Sequence, residues 1–192
     1  MADHAVVLPD SEMVTSPPSG KTVRFLERPD DPDSDPLTFE MTLAPDGHGP
    51  MRHVHPEQDE WLEVQEGRLG VWVEGRTEEL EPGERVTIPA GTPHRFWNAG
   101  RGELRLHGGV APGLRTEQFM RVTYGLARDG APITPSGMPL NVLRLAVLLS
   151  TYDDMLYLSA LPVWLQRAAV RLLAPLGRAV GYDDRYVEYL PP

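Results

Sequence analysis

Residues 47–67 read GHGPMRHVHPEQDEWLEVQEG. Within them His53 and His55 stand two positions apart, and Glu60 follows five residues after His55. Side chains alternate along an extended strand, so both imidazoles are expected on one face, about one strand step apart. That spacing suits two nitrogens gripping one metal ion. A turn through Pro56, Glu57, Gln58 and Asp59 then brings Glu60 round as a third corner. A second stretch, residues 83–98, reads GERVTIPAGTPHRFWN and offers His94 as a fourth ligand.

The first stretch fits the pattern G-x5-H-x-H-x4-E-x6-G and the second fits G-x5-P-x-G-x2-H-x3-N, with every fixed position filled. Each fixed position is roughly a one-in-twenty event at average residue usage, so coincidence does not compete. On these motifs the chain resembles the cupins, over about residues 22–112. The resemblance implies a mainly β fold, a cupin jelly-roll barrel. It also implies one divalent metal ion (Fe, Mn, Ni, Co or Zn) held by His53, His55, Glu60 and His94, with Glu60 also the catalytic residue. Three nitrogens and one carboxylate do not by themselves choose among those metals. Four protein ligands leave room for a substrate at an octahedral ion, which separates a reactive site from a closed structural one.

The reaction is less determined, because one fold hosts many chemistries. The leading expectation is a dioxygenase, similar to the quercetin-dioxygenase-like cupins, acting on an enolic or hydroxy-keto substrate. An isomerase or lyase, or a non-catalytic small-molecule-binding module, stands beside it. Phe96 shares the strand face of His94, and Phe39 and Met41 lie on the strand before the first motif. These three are the candidate substrate-pocket residues. By alternation Arg52 and His107 point away from the site.

Hydrophobic periodicity supports the barrel. Leu37, Phe39, Met41 and Leu43 alternate with Thr38, Glu40 and Thr42, the pattern of a half-buried strand. Glu60, Leu62 and Val64 share a face, as do Leu69, Val71 and Val73. Gly67 and Gly75 supply turns between such runs. The acidic run Asp30 to Pro36 reads as a solvated connection. Residues 1–21 form a leader with at most a short edge strand near Ala5 to Leu8, and residues 22–112 form the barrel.

From Gly113 the composition changes, and residues 113–192 read as an α-helical C-terminal extension. Helices are expected over Thr116 to Ala127, with Thr116 as N-cap, over Leu140 to Leu149, and over Pro162 to Leu173, where Pro175 bends or ends the last one. Trp61 and Trp72 fall on the outer face of the barrel and need a cover, since exposed aromatic patches mark interfaces. The apolar helices are expected to supply it, and a homodimer is expected through such a face. Arg167, Arg171 and Arg178 recur at helical spacing on the third helix, which reads as an amphipathic helix docked on the barrel.

Composition excludes several classes. A net charge of −10 opposes general nucleic-acid affinity. No cysteine is present, so there is no disulfide framework, as suits a reducing cytoplasm. The N-terminus has no basic region before an apolar run, so no signal peptide is expected. No apolar run is long enough for a membrane span. The expected partner is a small molecule.

Overall fold

The computed structural model describes residues 13–182 and 186–190, so the expected edge strand at Ala5 to Leu8 lies outside the described residues. Eleven strands occupy Met13–Ser16 (β1), Lys21–Glu27 (β2), Leu37–Leu43 (β3), His53–Val54 (β4), Asp59–Glu66 (β5), Leu69–Val73 (β6), Arg76–Leu80 (β7), Arg85–Ile88 (β8), His94–Asn98 (β9), Leu104–Ala111 (β10) and Tyr157–Leu158 (β11). They form two antiparallel sheets, β1-β2-β3-β10-β5-β8 and β11-β4-β9-β6-β7. Inward residues of both sheets, among them Phe25, Phe39, Leu62 and Leu106 from the first and Leu69, Val71 and Phe96 from the second, make one continuous apolar core. This is the expected jelly roll with a helical extension.

The alternation read from the sequence is the alternation seen. Leu37, Phe39, Met41 and Leu43 are buried on β3, and Glu60, Leu62 and Val64 on β5. Turn glycines such as Gly67 and Gly75 take left-handed backbone, and at Gly67 a side chain would also have no room. At Gly67 the backbone is left-handed (φ +87°), and an added Cβ would lie 2.6 Å from the Glu103 carbonyl oxygen. Asn98, the last residue of the second motif, is a staple between loops: its amide donates to the carbonyls of Leu43, Ala44 and Gly102 and accepts from the Gly100 N–H.

Among the described residues three α-helices follow, Thr116–Arg128 (α1), Val142–Thr151 (α2) and Val163–Ala179 (α3). α1 bridges two cores. Tyr124 joins the barrel core, while Phe119, Val122 and Leu126 join a second one with Val147, Leu148, Tyr152 and Met155. Thr116 is not the N-cap but the first helical residue, because its hydroxyl is taken by the Gln58 amide at 2.9 Å. α2 is capped by Asn141, whose side chain accepts from Leu143 N–H and Arg144 N–H.

The third helix departs most from expectation. It runs through Pro175 to Ala179 and packs on α2, meeting the barrel only at the edge strand β11, where Gln166 bonds the Leu158 backbone. Ala174 and Gly177 are its buried residues, and that close packing holds the turn across the hydrogen bond Pro175 cannot make. Its other face stays exposed, with Trp164 at 70% and Leu172 at 75%. The helices therefore do not cover the outward tryptophans. Instead Arg85 lies 4.0 Å over the Trp61 ring and Arg52 lies 4.1 Å over Trp72. Each such contact is worth about 0.5–1 kcal/mol at an exposed site. Arg52 and His107, which stacks on Trp61, both face outward as expected. None of the described helices is long and apolar enough to cross a membrane.

Gly177 generates a test of the α2–α3 contact. A Cβ there would sit 2.5 Å from Val147 Cγ2 and 2.7 Å from the Leu143 carbonyl oxygen. Gly177→Ala gains about 1 kcal/mol of helix propensity but overpacks the contact, at a cost of about 1–3 kcal/mol. The urea midpoint should fall. A raised midpoint would show that the two helices do not close at this spacing.

Candidate metal centre

The two sheets bring the four sequence-predicted ligands to one point. His53 on β4 pairs in register with His94 on β9, so both imidazoles leave the second sheet side by side. Glu60 on β5 reaches them from the first sheet. His55 follows β4, and its carbonyl accepts the Gly91 N–H at 2.7 Å, which ties the first motif to the second. One ligand atom from each of the four residues lies within 4.8 Å of the others, and all four residues are buried.

Hydrogen bonds to backbone carbonyls decide the tautomers. His53 Nδ1 donates to the Met51 carbonyl at 2.8 Å, His94 Nδ1 to that of Thr92 at 2.8 Å, and His55 Nδ1 to that of Met155 at 2.6 Å. A carbonyl only accepts, so in the neutral rings all three Nδ1 atoms carry the proton and all three Nε2 atoms carry a lone pair. His53 Nε2 and His55 Nε2 nevertheless stand 3.1 Å apart. His94 Nε2 lies 2.8 Å from Glu60 Oε2, yet the angles make no hydrogen bond, and both atoms are buried without a partner. Lone pairs converge here on lone pairs. Only a cation at their centre, a proton or a metal ion, makes such a cluster favourable, and the donor set fits a divalent metal.

Electrostatics agree with that reading. Burial, reinforced by the neighbouring rings, holds His53 well below the ordinary histidine value, and burial also lowers His55, so both are neutral and ready to ligate. For Glu60 burial pushes upward, but His94 and His55 outweigh it and the carboxyl falls below its usual range. For His94 burial pushes downward, but the Glu60 carboxylate prevails and raises it.

Residues 39–108 match the family described as "Cupin domain". Those residues form a cupin domain. Relatives of the chain include "Probable oxidoreductase virH" of Hypocrea virens, 29% identical over 153 residues, with 73% of this chain and 68% of that protein covered. "Oxidoreductase iacF" of Pestalotiopsis fici is 42% identical over 50 residues, covering 26% of this chain and 24% of that one. This chain thus spans about two thirds of the first relative's length and about a quarter of the second's. Among solved structures, KdgF from Halomonas sp. superposes with a TM-score of 0.42 at 20% identity, over 48% of this chain and 79% of its own.

A cavity of about 70 Å³ opens on His53, His55 and Glu60. Of the three expected pocket residues, Met41 and Phe96 line it. Phe39 does not: it is fully buried in the barrel core, with its ring against Gly108. Much of the remaining wall comes from the extension, including Phe119, Met120 and Tyr124 of α1 and Met155 and Leu156 before β11. Gly49 makes room for Phe96, since a Cβ there would meet that ring at 2.6 Å.

Two features escaped the motifs. The first is the Met155 carbonyl, which orients His55 from 100 residues away and has no side-chain signature. The second is Lys21, 4% exposed in the cavity wall. A signal for it existed: the eighteen Lys and Arg residues are seventeen arginines and one lysine, and that lysine alternates in phase with Val23 and Phe25.

Burial lowers the Lys21 pKa to about 8 from 10.5. A lysine whose folded value is depressed opposes folding most where both states are charged, below the folded value. That opposition is relieved as pH rises towards the unfolded value. Between pH 8 and 10.5 the wild type should therefore gain about 2–3 kcal/mol of unfolding free energy relative to Lys21→Met. Parallel urea titrations across that window measure the difference. A gap that does not change with pH would mean that the amine is not desolvated.

Proposed function

We propose that this chain is a metal-dependent cupin oxidoreductase of the dioxygenase type, acting on an enolic or hydroxy-keto small molecule. One observation carries the proposal: three imidazole Nε2 lone pairs and the Glu60 carboxylate converge, unpartnered by any donor, beside an apolar cavity. A divalent ion held by His53, His55, Glu60 and His94 would supply Lewis-acid polarisation of an enolic oxygen and a redox centre for dioxygen. The protein's own residues do the rest. Carbonyls of Met51, Thr92 and Met155 hold the rings in the ligating tautomer. Met41, Phe96 and the α1 side chains exclude water. Glu60, ionised at neutral pH, would accept the acidic substrate proton on a carboxylate oxygen. The names of the two oxidoreductase relatives favour redox over purely polarising chemistry.

His53→Ala and His94→Ala should each strip most of the bound metal, measured by elemental analysis of protein purified without added metal, while circular dichroism stays that of the barrel. Full occupancy in both variants would remove the four-ligand assignment. Glu60→Gln keeps the shape and loses the basic oxygen. It should depress oxygen uptake on an enediol or flavonol by about 10²–10⁴-fold, more than it depresses metal content. Normal turnover would reduce Glu60 to a spectator.

A further inference from the structure

Lys21 begins β2 and turns inward, so the single lysine of the chain sits in the wall of the cavity that His53, His55 and Glu60 also line. Its ammonium has three N–H donors. One meets the Ser136 carbonyl at 2.6 Å. Among the described residues no carboxylate pairs with it, and burial alone accounts for its lowered pKa. Arg121, another buried cation, shows the usual arrangement, with Glu117 at 2.7 Å. A buried charge without a counter-charge is strongly unfavourable, and here the neighbouring wall is Met41, Met120 and Met138. Tyr124 lines the same cavity and is likewise perturbed by burial alone. A wider cleft of about 580 Å³ shares Gly49, Pro50, Phe96 and Ser136 with the cavity and carries Arg52 and Arg95, a positive approach in a chain whose net charge is −10.

We infer that Lys21 is an anion-binding residue and that the cavity takes a small organic acid, its carboxylate on Lys21 Nζ and its apolar body among the methionines. The orientation of the acid's other end towards the His–Glu cluster rests on the function proposed above; the anion site does not. A cavity of about 70 Å³ has room for several waters at roughly 10–15 Å³ each, so a short-chain acid fits without rearrangement.

With only one lysine, ε-¹³C-lysine labelling of the full chain gives a single side-chain resonance to follow by NMR. Butyrate, and butyramide as its uncharged match, would be titrated into protein as purified and after chelator treatment, with metal content measured on the same samples. The expected result is a saturable shift with butyrate and none with butyramide, in both preparations. By calorimetry, Lys21→Met should weaken butyrate binding roughly tenfold to a hundredfold, the range of a charge-assisted hydrogen bond. The wild-type titration decides even if the variant does not fold. No saturable shift, an equal shift with butyramide, or undiminished butyrate binding by Lys21→Met would each overturn the inference. So would a shift confined to metal-containing protein, which would place butyrate on the ion. Metal content judges the four-ligand reading separately, because the lysine shift is expected with or without the ion.

Discussion

Three ring nitrogens, each left with a lone pair because its partner nitrogen donates to a carbonyl, face one another and a carboxylate across a buried gap. Neutral imidazoles do not choose that arrangement, since acceptor faces acceptor at 3.1 Å between His53 and His55. The cluster makes sense only around positive charge. Much of the surrounding architecture serves that requirement: the β4–β9 register sets His53 beside His94, the opposite sheet presents Glu60, and the Gly91 N–H holds the backbone of His55.

The helical extension takes part in the same site. β11 adds to the edge of β4, so the segment before it is pinned against the first motif and the Met155 carbonyl reaches His55. Gln58 ties the turn before β5 to the start of α1 through Pro112, Gly113 and Thr116. With α1 contributing to both apolar cores, the extension walls the cavity as well as packing on itself. The outermost helix, α3, contributes little to this, and its exposed Trp164 and Leu172 lie on its free side.

Two kinds of cation illustrate how burial sets role. Outward arginines lie over Trp61, Trp72 and Trp97, where the guanidinium stays hydrated and covers an aromatic face. Lys21 has no such escape. Its hydration is removed, one carbonyl replaces part of it, and among the described residues no carboxylate pairs with it. A fold tolerates that deficit where a ligand completes the arrangement, which is why perturbed buried charges gather at functional sites.

The barrel and the four ligands were legible in the sequence because both depend on short-range rules. Alternation along β3 and β5 sorts Phe39, Met41, Glu60 and Leu62 inward whatever the rest of the chain does, and the spacing of His53, His55, Glu60 and His94 is carried by two local motifs. What the sequence could not reveal depends on contacts between distant segments. Alternation turns Trp61 and Trp72 outward but does not say that Arg85 and Arg52 lie over them. Phe39 and Met41 share a face, yet only Met41 reaches the cavity, because depth along the barrel is not a property of alternation. The His55–Met155 hydrogen bond spans 100 residues and uses a backbone atom that every residue possesses. Lys21 was visible as the lone lysine, but only the closing of the extension over the barrel made it a buried charge facing a cavity. Local periodicity determined the strands and the ligand set; long-range packing decided what surrounds the ligands, because burial is set by segments that the periodicity does not connect.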